Sequence, residues 1–179
     1  MNHKRRAFII SSFILSTYAV SPKRLISLDN KYSTLKFTNR NFNVANKIQN
    51  HLFPHGKNNP SIEQLNATQY LQKVLLDEDY DLEVRTIIFD GIIRIDQQSK
   101  NKFDTDILTL NNQKLERLIK NVSEDWGESF LAMIMLFIFE ALFSDPIYGT
   151  NINEIGWKWI NHIPGQPLAN EYNKYRGLK

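Results

Sequence analysis

One stretch decides most of what this chain can fold into: FLAMIMLFIFEALF, Phe130 to Phe143. A helix of these 14 residues is apolar almost all round, and only Glu140 carries a charge. It is too short for a bilayer, which needs roughly 20 apolar residues, and the acid counts further against a membrane span. A helix with no polar face is stable only if other elements cover it, so the segment is expected to be the buried centre of a helical domain. At 179 residues, with 42% hydrophobic and 23% charged residues, the chain is long enough to supply that cover as one domain.

The covering helices are legible upstream. From Arg40 to Phe53, apolar residues fall at Phe42, Ala45, Ile48, Leu52 and Phe53, a spacing of three to four. Pro54, Gly56 and Pro60 then interrupt the pattern. Ser61 with Gln64 forms a capping-box start, and the helix it opens carries Ile62, Leu65, Leu71, Val74 and Leu75 on one side. The next run, YDLEVRTIIFDGIIRID, places Leu82, Ile87, Ile88, Ile92 and Ile95 at mostly helical spacing, although its β-branched density leaves a strand open. Leu110 to Val122 is amphipathic through Leu115, Leu118, Ile119 and Val122. The expected architecture is all-α: a single helical domain of about five or six helices over residues 40–179, with an irregular C-terminal tail from Ser144.

The charge is unevenly placed. A pI near 9.0 suggests nucleic acid until the charges are located. Residues 1–24 hold Lys4, Arg5, Arg6, Lys23 and Arg24 and no acid; the whole chain is +3, which leaves −2 on residues 25–179. The body is therefore slightly acidic, and the nucleic-acid reading loses its support. Lys4-Arg5-Arg6 followed by the apolar stretch Ala7 to Val20 has the plan of an export signal over residues 1–24, with residues 25–39 as a linker. Arg5, Arg6, Phe8 and Ile9 resemble the twin-arginine signature, in which paired guanidiniums suit a carboxylate-lined receptor. Thr17-Tyr18-Ala19 is not a clean cleavage site, so the segment is either cleaved or retained as an anchor.

Reactive equipment is sparse. With no cysteine, disulfides, cysteine-ligated zinc, iron–sulfur clusters and covalently attached c-type haem are excluded. His51 and His55 are four apart, but Pro54 lies between them and no acidic ligand is near in sequence. Glu124 and Asp125 read as N-terminal charges of the core helix, favoured by its dipole. Glu140 must find a partner, expected to be an arginine or a backbone amide. No phosphate-cradling G-x-G-x-x-G is present, so the chain does not hold its own dinucleotide by that device. Catalytic, cofactor-binding and metal residues are expected to be none. An independent all-α periplasmic enzyme would have to use Glu140, Asp145 and His162 together.

The remaining conspicuous stretch is DPIYGTNINEIGWKW, residues 145–159. Asp145-Pro146 stops the core helix, and Gly149 permits a turn with positive φ. Tyr148, Trp157 and Trp159 supply rigid amphipathic surface, suited either to a lid on the core or to a docking surface. Together with Trp126-Gly127, Ser144 and Pro164-Gly165, this stretch resembles the gluconate 2-dehydrogenase subunit 3 family. The matching positions are Asp145, Pro146, Tyr148, Gly149, Asn151, Gly156, Trp157, Pro164 and Gly165, with weaker likeness at Leu52-Phe53-Pro54 and Asn66-Ala67. Thr150 stands where a second glycine is usual, and Asn161-His162 replaces more apolar residues.

The resemblance implies a non-catalytic small subunit of an exported dehydrogenase for sugars, sugar acids or polyols. The large subunit would hold FAD, and a multihaem cytochrome c subunit would often carry electrons onward. The small subunit would carry the signal read by the twin-arginine translocase and assist maturation of its partner. It would sit in the periplasm at the inner membrane, with the matched C-terminal positions as its docking motif. A membrane-tethered domain with another partner is the alternative.

Overall fold

The computed structural model describes residues 36–170 and residue 172, and among them the secondary structure is entirely helical. The export signal, with Arg5, Arg6, Phe8 and Ile9, and most of the linker lie outside the described residues. Five longer α-helices are α1 (Asn39–Leu52), α3 (Ala67–Leu76), α4 (Leu82–Phe103), α5 (Asn112–Asp125) and α6 (Glu128–Phe143). Two short ones are α2 (Ile62–Leu65) and α7 (Ile155–Trp159). The segment that might have been a strand is the 22-residue α4, because its apolar side chains fall on one helical face and bury Ile88, Ile92 and Ile95.

Each boundary has a local cause. Thr38 caps α1 in a reciprocal box with Asn41, and the chain leaves the helical region at Phe53, the residue before Pro54. The Asp81 and Asn111 side chains accept the Val84 and Lys114 amides in the first turns of α4 and α5. The capping box of Ser61 and Gln64 is present as expected. The helix it opens is not continuous, however. Asn66 adopts left-handed angles, φ 58 and ψ 31, and divides the expected helix into α2 and α3. Between α5 and α6 the chain bends by 116°, with the Gly127 amide 2.6 Å from the Val122 carbonyl. A Cβ on Gly127 would come within 2.2 Å of Val122 Cγ1, so this corner requires glycine.

Helix α6 packs against α1, α2, α3, α4, α5 and α7, which makes it the hub of the fold. Phe130, Ile134, Phe137, Ile138, Ala141 and Leu142 are buried there against Ile48, Leu71, Val74, Ile88, Ile92 and Leu118. Fully burying a side chain of the Phe130 or Phe137 kind contributes about 1.5–3 kcal/mol. Gly91 on α4 lets the Phe130 ring approach, since a Cβ there would stand 2.2 Å from the ring. The far end is held by Arg40, which makes a two-pronged ion pair with Asp96 at 2.6 and 2.7 Å and reaches Asp106 at 2.9 Å.

The expectation that α6 is buried all round needs correction. Leu136, Phe139 and Phe143 are 45%, 40% and 47% exposed and, with Ala132, form one continuous row along the helix. Four neighbouring long helices cover the other faces and leave this one open. No single described helix is long and apolar enough to cross a membrane.

Candidate functional site

The last carbonyls of any helix lack intrahelical partners. In α6 they are met by the C-terminal segment, which turns back over the helix end. Ser144 is extended, and the Asp145 carboxylate accepts the Ile147 amide at 2.9 Å, starting a short 3-10 turn at Pro146–Tyr148. Gly149 follows with φ 83, the left-handed region that glycine enters without strain. Asn151 is also left-handed, with φ 47, and is fully buried. Its Nδ2 donates to the Ser144 carbonyl at 3.0 Å, and its Oδ1 accepts the Gly156 amide at 2.7 Å. Trp157 Nε1 donates to the Phe143 carbonyl at 2.8 Å.

This return demands close contact. A Cβ on Gly156 would lie 2.1 Å from the Leu142 carbonyl oxygen, so α7 can cross the end of α6 only with glycine there. On the other side, Asn66 Nδ2 donates to the Gly149 carbonyl at 2.7 Å, and the Asn151 amide donates to the Leu65 carbonyl at 3.2 Å. The break between α2 and α3 thus has a purpose in the fold: it presents a carbonyl and a side-chain amide to the returning chain. The Ser144 and Thr150 hydroxyls bond each other beneath it. Thr150 is buried, so the residue that stands in place of a usual glycine is used as a hydroxyl.

Asp145, Pro146, Gly149, Asn151, Gly156 and Trp157 are therefore brought together in one lock between α6 and the α2–α3 break. The polar side-chain atoms of Asn151 and Trp157 are turned inward, and Trp157 is only 6% exposed. Tyr148 is half-buried beside them. Pro164 and Gly165 lie past the lock, and nothing stands within 4 Å of the place a Gly165 Cβ would occupy. His162 packs its ring edge on Trp157 at 5.9 Å and donates its amide to the Trp157 carbonyl. Exposed around the lock are Ile152, Trp159, Ile160 and Ile163, together with the open row on α6. Trp159 meets the Phe53 ring edge-on at 6.0 Å.

The titratable groups are scattered over different partners. Glu140 accepts the Tyr70 hydroxyl at 3.0 Å, in place of the expected arginine or backbone amide. Burial pushes the Glu140 carboxyl above its ordinary range, with the Tyr70 hydrogen bond opposing. The Tyr70 hydroxyl is itself driven up, first by burial and then by the Glu140 charge. Asp145 is engaged with the Ile147 amide, and His162 with Trp157. His51 has an acid in space that sequence distance hid: Glu116 on α5, at 2.6 Å. Glu124 and Asp125 end α5 instead of starting α6, so the dipole argument for them fails; Glu124 faces Lys120 at 3.8 Å, and Glu128 takes the first turn of α6.

Two clefts of about 510 and 390 Å³ lie beside His51 and Glu116, and between His55 and Trp159. Neither is lined by Glu140, Asp145 or His162. Among the described residues, no group of three or more His, Asp and Glu could hold a metal ion.

The residues that sequence reasoning missed are Asn66 and the exposed row Leu136, Phe139 and Phe143. Asparagine is among the few residues that tolerate left-handed angles, which was the available signal at Asn66. Comparison with protein families matches residues 39–165 to the model described as Gluconate 2-dehydrogenase subunit 3. The match runs from the start of α1 through the lock to Gly165. Comparison with curated proteins and with solved structures gives no match.

Proposed function

The chain belongs to the gluconate 2-dehydrogenase subunit 3 family, and from that membership we propose that it is the non-catalytic small subunit of an exported, FAD-dependent dehydrogenase for sugars, sugar acids or polyols. The family's name sets the chain among the other subunits of a dehydrogenase complex. The observation that carries the reading further is the open row on α6. A helix that is otherwise the centre of the core leaves Leu136, Phe139 and Phe143 each at least 40% exposed, with Trp159, Ile160 and Ile163 also exposed after the lock. Single exposed apolar residues are ordinary, whereas an aligned row of large ones on the central helix fits a protein interface.

In this reading the stretch from Asp145 to Trp157 shapes the surface without forming it. The lock fixes the end of α6 and so fixes the row's geometry, while the exposed residues around it touch the partner. The partner supplies FAD and the redox chemistry, and a cytochrome c subunit, where present, takes the electrons. Arg5 and Arg6 would direct the small subunit, with its folded partner, through the twin-arginine translocase to the periplasmic face of the inner membrane.

A C-terminally tagged chain isolated from its own cell envelope tests this directly. Mass spectrometry and the flavin absorbance of the eluate should show an FAD-containing dehydrogenase at one partner per small subunit. Recovery of the chain alone from a gentle preparation would defeat the proposal. Replacing Arg5 and Arg6 together with lysine should stop export of both chains, and a partner still found in the periplasm would refute the shared signal.

A further inference from the structure

The open row on α6 is bordered by an acid. Glu140 follows Leu136 by one helical turn and precedes Phe143 by nearly one, so all three face the same side. Its carboxylate is half-buried against α3, where the Tyr70 hydroxyl binds Oε2 at 3.0 Å. Among the described residues no ion pair reaches Glu140. Tyr80 packs its ring with that of Tyr70 around Phe137, and Lys73, one turn along α3 from Tyr70, carries its Nζ toward Gly149. An acid at the border of an apolar surface, held in no ion pair among the described residues, costs stability in the isolated chain.

We propose that Glu140 receives one basic side chain, for which arginine is the best fit, from an apolar segment of the dehydrogenase subunit lying across Leu136, Phe139 and Phe143. Charge complementarity selects this occupant. The Tyr70 hydroxyl fixes one carboxylate oxygen and leaves lone pairs on the other for a guanidinium fork. Phe139 and Phe143 lie nearly parallel, 18° apart with centroids 6.2 Å apart, and both are at least 40% exposed, offering aromatic surface against which a guanidinium can pack. Covering the row excludes water and strengthens the pair, which turns a cost of the free chain into a register mark for the complex. A lipid surface is the poorer occupant, because an anionic headgroup layer repels the acid and a hydrocarbon layer leaves it unpaired.

This inference rests on the dehydrogenase-subunit reading and is tested with the tagged complex and two variants of the full chain. Glu140→Gln keeps the shape and can still accept the Tyr70 hydroxyl, but it removes the charge. Phe139→Ser alters the row alone. The isolated Glu140→Gln chain should unfold at a higher urea concentration than the parent at pH 7, since the unpaired charge is gone. The same variant should release the dehydrogenase about ten-fold more readily or worse. A purely structural role for Glu140 would move stability and leave the affinity alone.

Loss of the dehydrogenase from Phe139→Ser with parental affinity in Glu140→Gln overturns this inference and leaves the subunit reading intact. Recovery of no dehydrogenase by the parent chain, with binding to phosphatidylcholine vesicles instead, overturns both. Lower stability of Glu140→Gln at pH 7 also overturns it, because the acid would then be supporting the fold.

Discussion

Asn151→Ala tests whether the C-terminal lock is energetically part of the fold. The Asn151 side chain is fully buried and makes two bonds, accepting the Gly156 amide at 2.7 Å and donating to the Ser144 carbonyl at 3.0 Å. Alanine leaves both backbone groups without a partner, at about 1–3 kcal/mol for each buried one. Gly156 is buried, so its amide bears the full penalty, whereas Ser144 is half-buried and water can reach its carbonyl in part. The left-handed backbone at φ 47 adds about 1 kcal/mol once asparagine is gone. The expected loss is about 3–4 kcal/mol, a large part of the roughly 5–15 kcal/mol that holds a domain together.

Equilibrium urea unfolding of the purified chain, followed by far-ultraviolet circular dichroism and tryptophan fluorescence, measures it. Asn153→Ala is the internal control. That residue is also left-handed, with φ 57, but is exposed, so only the backbone contribution of about 1 kcal/mol is expected there. Equal losses in the two variants would show that the buried bonds of Asn151 add nothing. The account of the lock would then be wrong.

Two further perturbations follow from the same geometry. Gly156→Ala should be at least as damaging as Asn151→Ala, because its Cβ would lie 2.1 Å from a backbone oxygen that cannot turn aside; a variant with unchanged urea midpoint would contradict this. The Arg40 hydrogen bond, with help from the Leu108 amide, holds the Asp106 carboxyl below the usual range. A depressed carboxylate contributes stability that is full above its unfolded pKa, near 4, and is lost as pH falls through the lower folded value. Arg40→Gln should therefore flatten the acid limb of the stability curve between about pH 5 and 2, by no more than about 1 kcal/mol because Asp106 is 35% exposed. Superimposable acid limbs would refute the pairing.

The sequence carried the framework well and its details unevenly. The period of three to four apolar residues located α1, α4 and α5, because each has one covered face. It could not say which face of α6 is open, because a helix apolar all round has no period to read. The break at Asn66, signalled only by asparagine's tolerance of left-handed angles, was masked for the opposite reason. The apolar period of Ile62, Leu65, Leu71, Val74 and Leu75 runs straight through it, and the left-handed residue is supported by bonds to a loop more than 80 positions away. Turn chemistry at Pro146 and Gly149 was legible, since it depends on local φ alone. That Asn151 and Trp157 would aim their polar atoms at α6 was not, since those acceptors are carbonyls, which every residue carries alike. Glu124 and Asp125 show how small a boundary error matters: shifting a helix start by four residues reverses the sign of a dipole argument.

The proposed seat of the dehydrogenase is the open face of α6. Its most direct measurement is the amount of flavoprotein retained by the tagged Phe139→Ser chain relative to its parent, with circular dichroism recorded on both. Phe139 is 40% exposed, and replacing it should leave the helical signal unchanged. The account predicts a folded chain that has lost its flavin-containing partner. A folded Phe139→Ser chain retaining the dehydrogenase at full stoichiometry and affinity would place the contact elsewhere and contradict it.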